Sequence, residues 1–358
     1  MIVMLIWGLQ ITTAAFAADS ESIPSQPVLN TPFLLGPPQE SGPVVVSTRF
    51  DLQDINEIND GAESFEFSGV FTLQWQDQRQ AFDPEIAGVE EKVFQGGYQV
   101  SELAAGWFPQ LVLVNESGLF QQSGVVLRIQ PDGTSTLVQT LNASAKAELN
   151  MIQFPFDSHR LEAVFEVLGF DLDEIQLQAE SLPAGPKTNR IQIPEWSVTG
   201  VSTSIRERPS EYAGNRHLSS AFVLSVDVER QPYYTLRLVV LPLIIIVLLS
   251  FSVFWMDRSS MGDRLNVSFI GILTGVAYLI VTSDHLPPIS YFTLMYGFLN
   301  LSFLAMCATV LVTLRVAVLD KQSRGEPGDR LDHRCRWGFP IVYFGLLLLM
   351  LGAAFLLF

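Results

Sequence analysis

The stretch Tyr233–Trp255, YYTLRLVVLPLIIIVLLSFSVFW, decides how the chain is organised. It is apolar over about the length that an α-helix needs to cross a hydrocarbon core of roughly 30 Å. Three comparable stretches follow it, near Leu265–Ser283, Tyr291–Leu314 and Trp337–Phe358. The sequence therefore predicts a bundle of four membrane-spanning helices over residues 231–358.

Basic residues indicate how these spans are oriented. The segment Asp257–Arg264 carries two arginines, and the segment Arg315–Arg336 carries six basic residues. Loops rich in Lys and Arg face the cytoplasm. We therefore expect a multi-pass protein of the inner (plasma) membrane, with the N-terminal domain and the C-terminus outside the cytoplasm.

Short strands are expected before the first span. Pro131-Asp132-Gly133 separates two apolar runs and is typical of a hairpin turn. Many short strands with turn residues between them predict an extracellular β-sandwich over residues 44–230. The expected fold class is thus a multi-domain membrane protein, a β-sandwich followed by a four-helix transmembrane bundle. The alternating runs include Phe65–Phe67, Val70–Leu73, Val125–Ile129 and Ala221–Val228.

The first 43 residues are expected to lie outside this sandwich. Met1–Ile11 is mostly apolar and Ala15-Phe16-Ala17 is a small-x-small cleavage pattern, so residues 1–17 are predicted to be a cleaved signal peptide. An uncleaved anchor is the alternative, because the usual basic residues before the apolar run are missing. Residues 18–43 are rich in proline and predict an extended lead-in.

The negative charge of the chain is concentrated before the first span. Of 37 acidic side chains, 30 lie between Ala18 and Glu229, together with 11 of the 21 basic ones. Such a field disfavours nucleic acid as a partner and concentrates cations near the domain. It fits a cation path, but many solvated domains are equally acidic.

Cysteine and histidine give no sign of a disulfide framework, a metal centre or a cofactor. Cys307 and Cys335 both lie in the apolar half or its connecting loop, so the sandwich is expected to fold without disulfides. Phosphate loops and nucleophile elbows are missing from the sequence, so no enzyme activity is predicted. The histidines lack the spacing of metal ligands; they are His159, His217, His285 and His333.

The second span is less apolar than the others and has an acidic residue near each end. Every third or fourth residue from Asp263 falls on one helical stripe. Around a shared axis, Asp263 would form a ring of carboxylates that attracts cations, and the apolar members would form a collar that excludes water until the helices part. The stripe consists of Asp263, Asn266, Ile270, Leu273, Ala277, Ile280 and Asp284.

A packing interpretation of the same helix stays open. Interfacial carboxylates flank many ordinary spans, and Gly271 with Gly275 forms a Gly-x-x-x-Gly pattern typical of close helix packing. The two interpretations are compatible, because both glycines fall largely off the stripe and can face a neighbouring helix.

Phe154-Pro155-Phe156-Asp157 lies between two predicted strands and resembles the signature of the pentameric ligand-gated ion channels, also called Cys-loop receptors. In animal members paired cysteines enclose this tetrapeptide, whereas Ala147 and Leu161 occupy those positions here. The missing cysteine pair resembles the bacterial branch of the family. The short segment Arg315–Arg336 does so too, because it leaves no room for a large cytoplasmic domain.

Further motifs of the family follow in the expected order, and the resemblance covers about residues 45–358. It implies five subunits around a pore lined by the second span. We expect a homopentamer in the lipid bilayer that conducts monovalent cations. The motifs are Trp75-Gln76-Asp77, Trp107-Phe108-Pro109 with Asn115, Glu195-Trp196, Arg230-Gln231-Pro232, Pro242 and Leu286-Pro287.

A coupling interface is expected where the sandwich meets the membrane. We hypothesise that Phe156 and Asp157 of the signature contact the linker formed by His285, Leu286 and Pro287. Arg230 is expected to pair with Asp157 and to transmit a rigid-body tilt to the second span. A purely structural salt bridge is the alternative.

The resemblance also implies a ligand pocket between adjacent subunits, in which aromatic rings and carboxylates hold a cationic amine. By position it assigns Glu166, Phe170 and Tyr212 to that pocket, with a solvated strand residue as the alternative for Glu166. Val114 and Leu168 stand where many relatives have aromatic rings. The stimulus is therefore left open between a small extracellular ligand and a proton.

Two other functions compete with a cation channel. An anion channel of the same family would need a neutral or basic inner mouth. A non-conducting, membrane-anchored receptor would have no need of the aligned Asp263, Asn266 and Leu273. Reversal potentials in asymmetric salt separate the two ion preferences.

Overall fold

The computed structural model describes residues 36–39, 42–104, 106–180, 191, 193–212, 217–257, 260–283, 291–321 and 325–357. The expected signal peptide, residues 1–17, lies outside the described residues. So do four residues assigned to the pore and its linker, namely Asp284, His285, Leu286 and Pro287.

In the described part of the chain, ten strands form two sheets. The larger sheet has the strand order β3-β5-β6-β2-β1-β8 and the smaller sheet β4-β7-β10-β9. Neighbouring strands are antiparallel except β1 and β8, which are parallel. The strands are β1 (Val44–Asn59), β2 (Ser64–Gln76), β3 (Lys92–Gln95), β4 (Leu111–Leu113), β5 (Glu116–Ile129), β6 (Thr134–Lys146), β7 (Ser158–Val167), β8 (Ile175–Ala179), β9 (Trp196–Pro209) and β10 (Leu218–Arg230). Short helical turns lie at Gln78–Gln80, Pro84–Ala87, Gly96–Tyr98 and Gln99–Leu103.

Aromatic side chains fill the space between the two sheets. The ring of Phe71 in β2 lies 4.8 Å from that of Phe165 in β7 and 4.7 Å from that of Phe50 in β1. All three are buried, and burying one such ring stabilises the fold by about 1.5–3 kcal/mol. Gly69 allows this packing, because a Cβ there would collide with the Phe50 ring. The predicted sandwich is confirmed.

The predicted hairpin turn connects β5 to β6. Gly133 has a φ of +85°, a left-handed conformation that glycine adopts at no steric cost. A side chain at this position would also collide with the backbone carbonyl of Asp77, whose N–H donates to the Gly133 carbonyl at 3.0 Å. The turn therefore needs glycine for two separate reasons.

Among the described residues, four helices are long and apolar enough to cross a membrane, so the predicted bundle is confirmed. The first, α1, runs as consecutive helical segments over Tyr233–Trp255. The others are α2 (Met261–Ser283), α3 (Leu294–Lys321) and α4 (Gly325–Leu357). Helix α1 contacts the other three, and α3 packs on both α2 and α4.

The two predicted cytoplasmic loops are shorter than the sequence suggested. Helix α2 begins at Met261, so Arg264 lies inside it and is fully buried. The helices α3 and α4 extend to Lys321 and from Gly325, so most of the segment 315–336 is helical. Hydropathy marks where a helix leaves the hydrocarbon. It does not mark where the helix ends, because polar turns outside the membrane keep their own backbone hydrogen bonds.

Candidate pore and coupling site

The stripe predicted on the second span lies on an exposed face of α2. Ile270, Leu273 and Ile280 expose 62%, 70% and 66% of their surface in the single chain. The opposite face is buried against the rest of the bundle, at Arg264, Ser268, Gly275 and Thr282. The described members of the stripe are all exposed; they are Asp263, Asn266, Ile270, Leu273, Ala277 and Ile280.

The two glycines of α2 face neighbouring helices of the same chain. A Cβ on Gly271 would collide with the hydroxyl of Ser250 in α1, and a Cβ on Gly275 would collide with the side chain of Met306 in α3. The packing interpretation is therefore confirmed for the glycines. It leaves the stripe unexplained, because the stripe lies on the other side of the helix.

The signature loop between β6 and β7 rests on the outer end of α3. Its Met151 N–H donates to the hydroxyl of Tyr291 at 2.9 Å, and this hydroxyl donates to the carbonyl of Leu149 at 3.1 Å. The N–H of Leu294, the first residue of α3, donates to the carbonyl of Ile152 at 2.9 Å. These hydrogen bonds connect the sandwich directly to the third span.

The same loop also contacts the last turns of α4. The side-chain amide of Gln153 donates to the carbonyl of Ala354 at 3.1 Å, and the ring of Phe156 lies 5.9 Å from that of Phe355. From the sequence, Phe156 was predicted to contact the linker 285–287. Because that linker lies outside the described residues, this contact stays a prediction.

Arg230, the last residue of β10, pairs with Asp157 as predicted. Its Nε donates to Oδ1 of Asp157 at 2.9 Å, and both side chains are buried. The guanidinium also lies over the rings of Trp196, at 4.0 Å, and Phe154, at 4.8 Å. Phe154 and Asp157 of the signature therefore hold Arg230, which lies three residues before the start of the first span.

Two further titratable residues join this pair, and sequence reasoning missed both. Asp60, in the turn after β1, accepts a hydrogen bond from Nη2 of Arg230 at 2.8 Å. His159 places Nε2 at 2.6 Å from Oδ2 of Asp157. Glu195 adds a third carboxylate, 3.9 Å from Nη1 of Arg230. One arginine is thus within 4 Å of three carboxylates. We refer to these five residues as the Arg230 cluster.

The pKa values of the two carboxylates closest to Arg230 shift in opposite directions. At Asp60, loss of hydration prevails over the attraction of Arg230 and raises the pKa above its usual value. At Asp157, burial also favours the neutral form. The hydrogen bond with His159 and the charge of Arg230 outweigh it there, and the pKa of Asp157 is lowered. On acidification, Asp60 is therefore protonated before Asp157.

The three residues assigned to a ligand pocket have different surroundings. Glu166 is buried, so the solvated alternative is wrong, and its carboxylate accepts hydrogen bonds from the hydroxyls of Ser210 at 2.9 Å and Ser219 at 2.8 Å. Tyr212 is half exposed, and its N–H donates to the Ser210 hydroxyl at 3.1 Å. Ser210 therefore connects Glu166 with Tyr212.

Phe170 belongs to an aromatic row. Its ring lies 5.8 Å from that of Trp107, which lies 6.0 Å from that of Trp75. Both tryptophans are buried, and Phe170 is partly buried against the core. Trp75 and Trp107 come from the family motifs singled out in the sequence. In the single chain, packing accounts for this row.

Two family models match the chain. Residues 33–232 match the neurotransmitter-gated ion-channel ligand binding domain, and residues 239–334 match the neurotransmitter-gated ion-channel transmembrane region. Together they span both the sandwich and most of the helical bundle.

Curated relatives agree with these matches. A proton-gated ion channel of Gloeobacter violaceus is 25% identical over 307 residues, which cover 86% of this chain and 82% of the relative. An acetylcholine receptor subunit beta of Rattus norvegicus is 25% identical, with 78% and 58% covered. A gamma-aminobutyric acid receptor subunit gamma-4 of Gallus gallus is 24% identical, with 70% and 54% covered. The chain spans a little over half the length of these two receptor subunits.

Proposed function

The chain belongs to the neurotransmitter-gated ion-channel family, which consists of pentameric ligand-gated channels and not of enzymes, and we propose that it forms a homopentameric, cation-selective channel. The observation that carries this proposal is the exposed face of α2, on which Asp263 and Asn266 precede a run of apolar side chains.

An arrangement of five copies around an axis accounts for every part of this exposed face. Phe269 and Val281 are 55% and 62% exposed and flank the stripe on the helix surface. In a ring, these flanks pack against adjacent subunits while the stripe faces water. Facing lipid instead, Asn266 would have to bury its amide without a partner, which is costly.

The inner end of the stripe supports cation selectivity. A ring of Asp263 carboxylates at the cytoplasmic mouth raises the local concentration of cations and repels anions. An anion channel, the alternative within the family, would need a neutral or basic residue at this position. Further along the stripe, Ile270, Leu273 and Ile280 form an apolar constriction that closes the pore by excluding water.

The Arg230 cluster supports opening by protons. Its three carboxylates share one arginine, and the raised pKa of Asp60 makes this group the first of the Asp60–Asp157 pair to be neutralised as the pH falls. The cluster sits where the sandwich contacts α1. A change of charge there alters the attachment of the first span. The proton-gated relative from Gloeobacter violaceus is in line with this stimulus.

Opening by a small ligand is the second candidate, and the exposed ring of Tyr212 favours it. Such a ring can stack on a cationic amine at a subunit interface. The carboxylate of Glu166 already accepts two serine hydroxyls, so a ligand would have to displace Ser210 or Ser219 to bind it directly.

Patch-clamp recording from the purified protein in liposomes tests the proposal. The pH is stepped first, and small amines and carboxylates are then screened at constant pH. Reversal potentials in asymmetric salt should follow the cation gradient, and Asp263→Asn should weaken this preference. An anion-following reversal potential would identify the alternative channel. Pentamers that pass no current under any stimulus would identify an anchored receptor.

A further inference from the structure

A buried arginine stands directly behind the proposed ring of carboxylates. Arg264 follows Asp263 in sequence, but an α-helix turns by about 100° per residue, so the two side chains leave α2 in different directions. Asp263 is exposed, whereas Arg264 has no exposed surface. A guanidinium does not lose its proton in a protein. Each subunit therefore holds a permanent positive charge one residue away from Asp263.

Among the residues that the structure describes, one carboxylate neutralises this charge, and it belongs to the fourth helix. Nη2 of Arg264 donates to Oδ1 of Asp332 at 2.5 Å, and Asp332 is itself buried. Nε donates to the backbone oxygen of Val253, near the end of α1, at 3.1 Å. Within the described part of the chain, Nη1 has no hydrogen-bond partner and no second carboxylate pairs with Arg264.

Arg336, which follows Asp332 by four residues on α4, does not compete for this carboxylate. Arg336 donates from Nε and Nη2 to the backbone oxygen of Phe254, at 3.2 and 3.1 Å, and lies 5.8 Å from the ring of Trp255. It satisfies a carbonyl at the end of α1, where a cation is favoured by the helix dipole. Arg336 is thus engaged at the end of α1, whereas Asp332 forms its ion pair with Arg264.

We propose that Asp332 is a specificity-determining residue, which acts on ion selectivity from behind the pore by neutralising Arg264. This inference rests on the proposed function, because it requires α2 to line the pore. Buried charges are screened little by salt and interact strongly through protein. With Asp332 ionised, the three residues Asp263, Arg264 and Asp332 together carry one net negative charge. If Asp332 carries no charge, the net charge of these three residues in each subunit is zero.

A purely mechanical role for the bridge, fastening α2 to α4, predicts a different pattern. Loss of either partner would then weaken assembly or opening in the same direction. If charge matters, the two single variants act in opposite directions. Asp332→Asn removes a negative charge but keeps an oxygen that can accept from Arg264, and Arg264→Gln removes the positive charge.

The test compares wild type, Asp332→Asn, Arg264→Gln and the double variant by single-channel recording and reversal potentials in liposomes. Asp332→Asn should lower cation conductance and the cation-to-anion permeability ratio by roughly tenfold, the lower range for loss of electrostatic ion concentration. Arg264→Gln should raise cation conductance, and the double variant should return to the wild-type selectivity. Asp227→Asn, which removes the exposed partner of Arg160 on the sandwich, is the matched control and should leave permeation unchanged.

Wild-type permeation in Asp332→Asn would overturn the inference, as would a loss of selectivity in Arg264→Gln. If Asp332→Asn does not assemble, Arg264→Gln decides alone, because conductance that is unchanged or lower contradicts the electrostatic role. Failure of the proposed function can be distinguished from failure of this inference, because the wild-type protein itself would then not conduct cations.

Discussion

At the scale of single residues, Arg230 combines contacts that no other side chain could make together. Its guanidinium donates to Asp157 and Asp60 from separate nitrogens, and its plane lies over Trp196. A lysine offers one point charge and neither a planar fork nor a planar face. The predicted ion pair is therefore only part of the interaction, and the geometry explains why an arginine occupies this position.

Arg230→Ala should abolish evoked current while some pentamers still reach the membrane. The variant leaves the buried Asp157 and the partly buried Asp60 without their cation, at a cost of about 3–5 kcal/mol. Evoked current per surface-labelled pentamer is the measurement. Arg160→Ala is the control, because Arg160 pairs with Asp227 on the exposed surface and should lose almost nothing. Normal current per pentamer in Arg230→Ala would show that the cluster has no part in coupling.

Asp60→Asn should move half-activation by protons to higher pH, by about one unit. The pKa of Asp60 is raised, so acidification neutralises this carboxylate early, and asparagine imitates the neutral state at every pH. The measurement is the pH dependence of peak current. Glu57→Gln, an exposed change on the strand β1 that precedes this turn, should leave the curve in place. An unshifted curve in Asp60→Asn would remove Asp60 from the pH response.

Asp157 and Arg230 could be predicted because short motifs mark them, whereas Asp60 and His159 could not. The turn that carries Asp60 belongs to no motif, and it reaches Arg230 only because β1 and β10 end at the same edge of the sandwich. Such proximity is a property of the sheet topology. In the same way, the serines that bond Glu166 lie far from it in sequence, so its burial was not evident.

At the scale of elements, the second span shows what helical periodicity can and cannot reveal. The period of 3.6 residues separated the stripe from Gly271 and Gly275 correctly, because that geometry depends only on the chain itself. The predicted start of the helix, near Leu265, was wrong, and Arg264 was therefore assigned to a loop. Its burial depends on Asp332, which belongs to another helix and pairs with it across the bundle.

Leu273→Ala should ease opening of the pore. A smaller side chain widens the apolar constriction and lowers the cost of wetting it, so the half-activation point should move toward weaker stimuli and some channels should open unprompted. The open probability at rest and the stimulus dependence of current are the measurements. Leu304→Ala, on α3 and 63% exposed, is a control of the same size and similar exposure. Equal effects of both variants would indicate a general loosening of the bundle.

At the scale of the whole molecule, two sets of contacts among the described residues connect the sandwich with the helical bundle. The signature loop contacts the outer ends of α3 and α4, and the Arg230 cluster holds the end of β10, just before α1. A smaller share of α2 than of α1 or α3 is buried inside the chain, and only α4 is buried less. Motion of the sandwich can therefore reach α2 by way of its neighbours, while the proposed pore face stays free to turn.

A ring of identical subunits makes a quantitative prediction for mixtures. When wild-type and Asp263→Asn subunits are expressed together, each pentamer carries from none to five charged residues at the inner mouth. Each lost carboxylate lowers the local cation concentration, so single-channel current should fall in steps, one for each number of substituted subunits. Recordings at several expression ratios should change how often each level occurs and leave the levels themselves fixed. A continuous spread of amplitudes, or the same amplitude at every ratio, would contradict a shared ring of Asp263 and with it the pore proposed for α2.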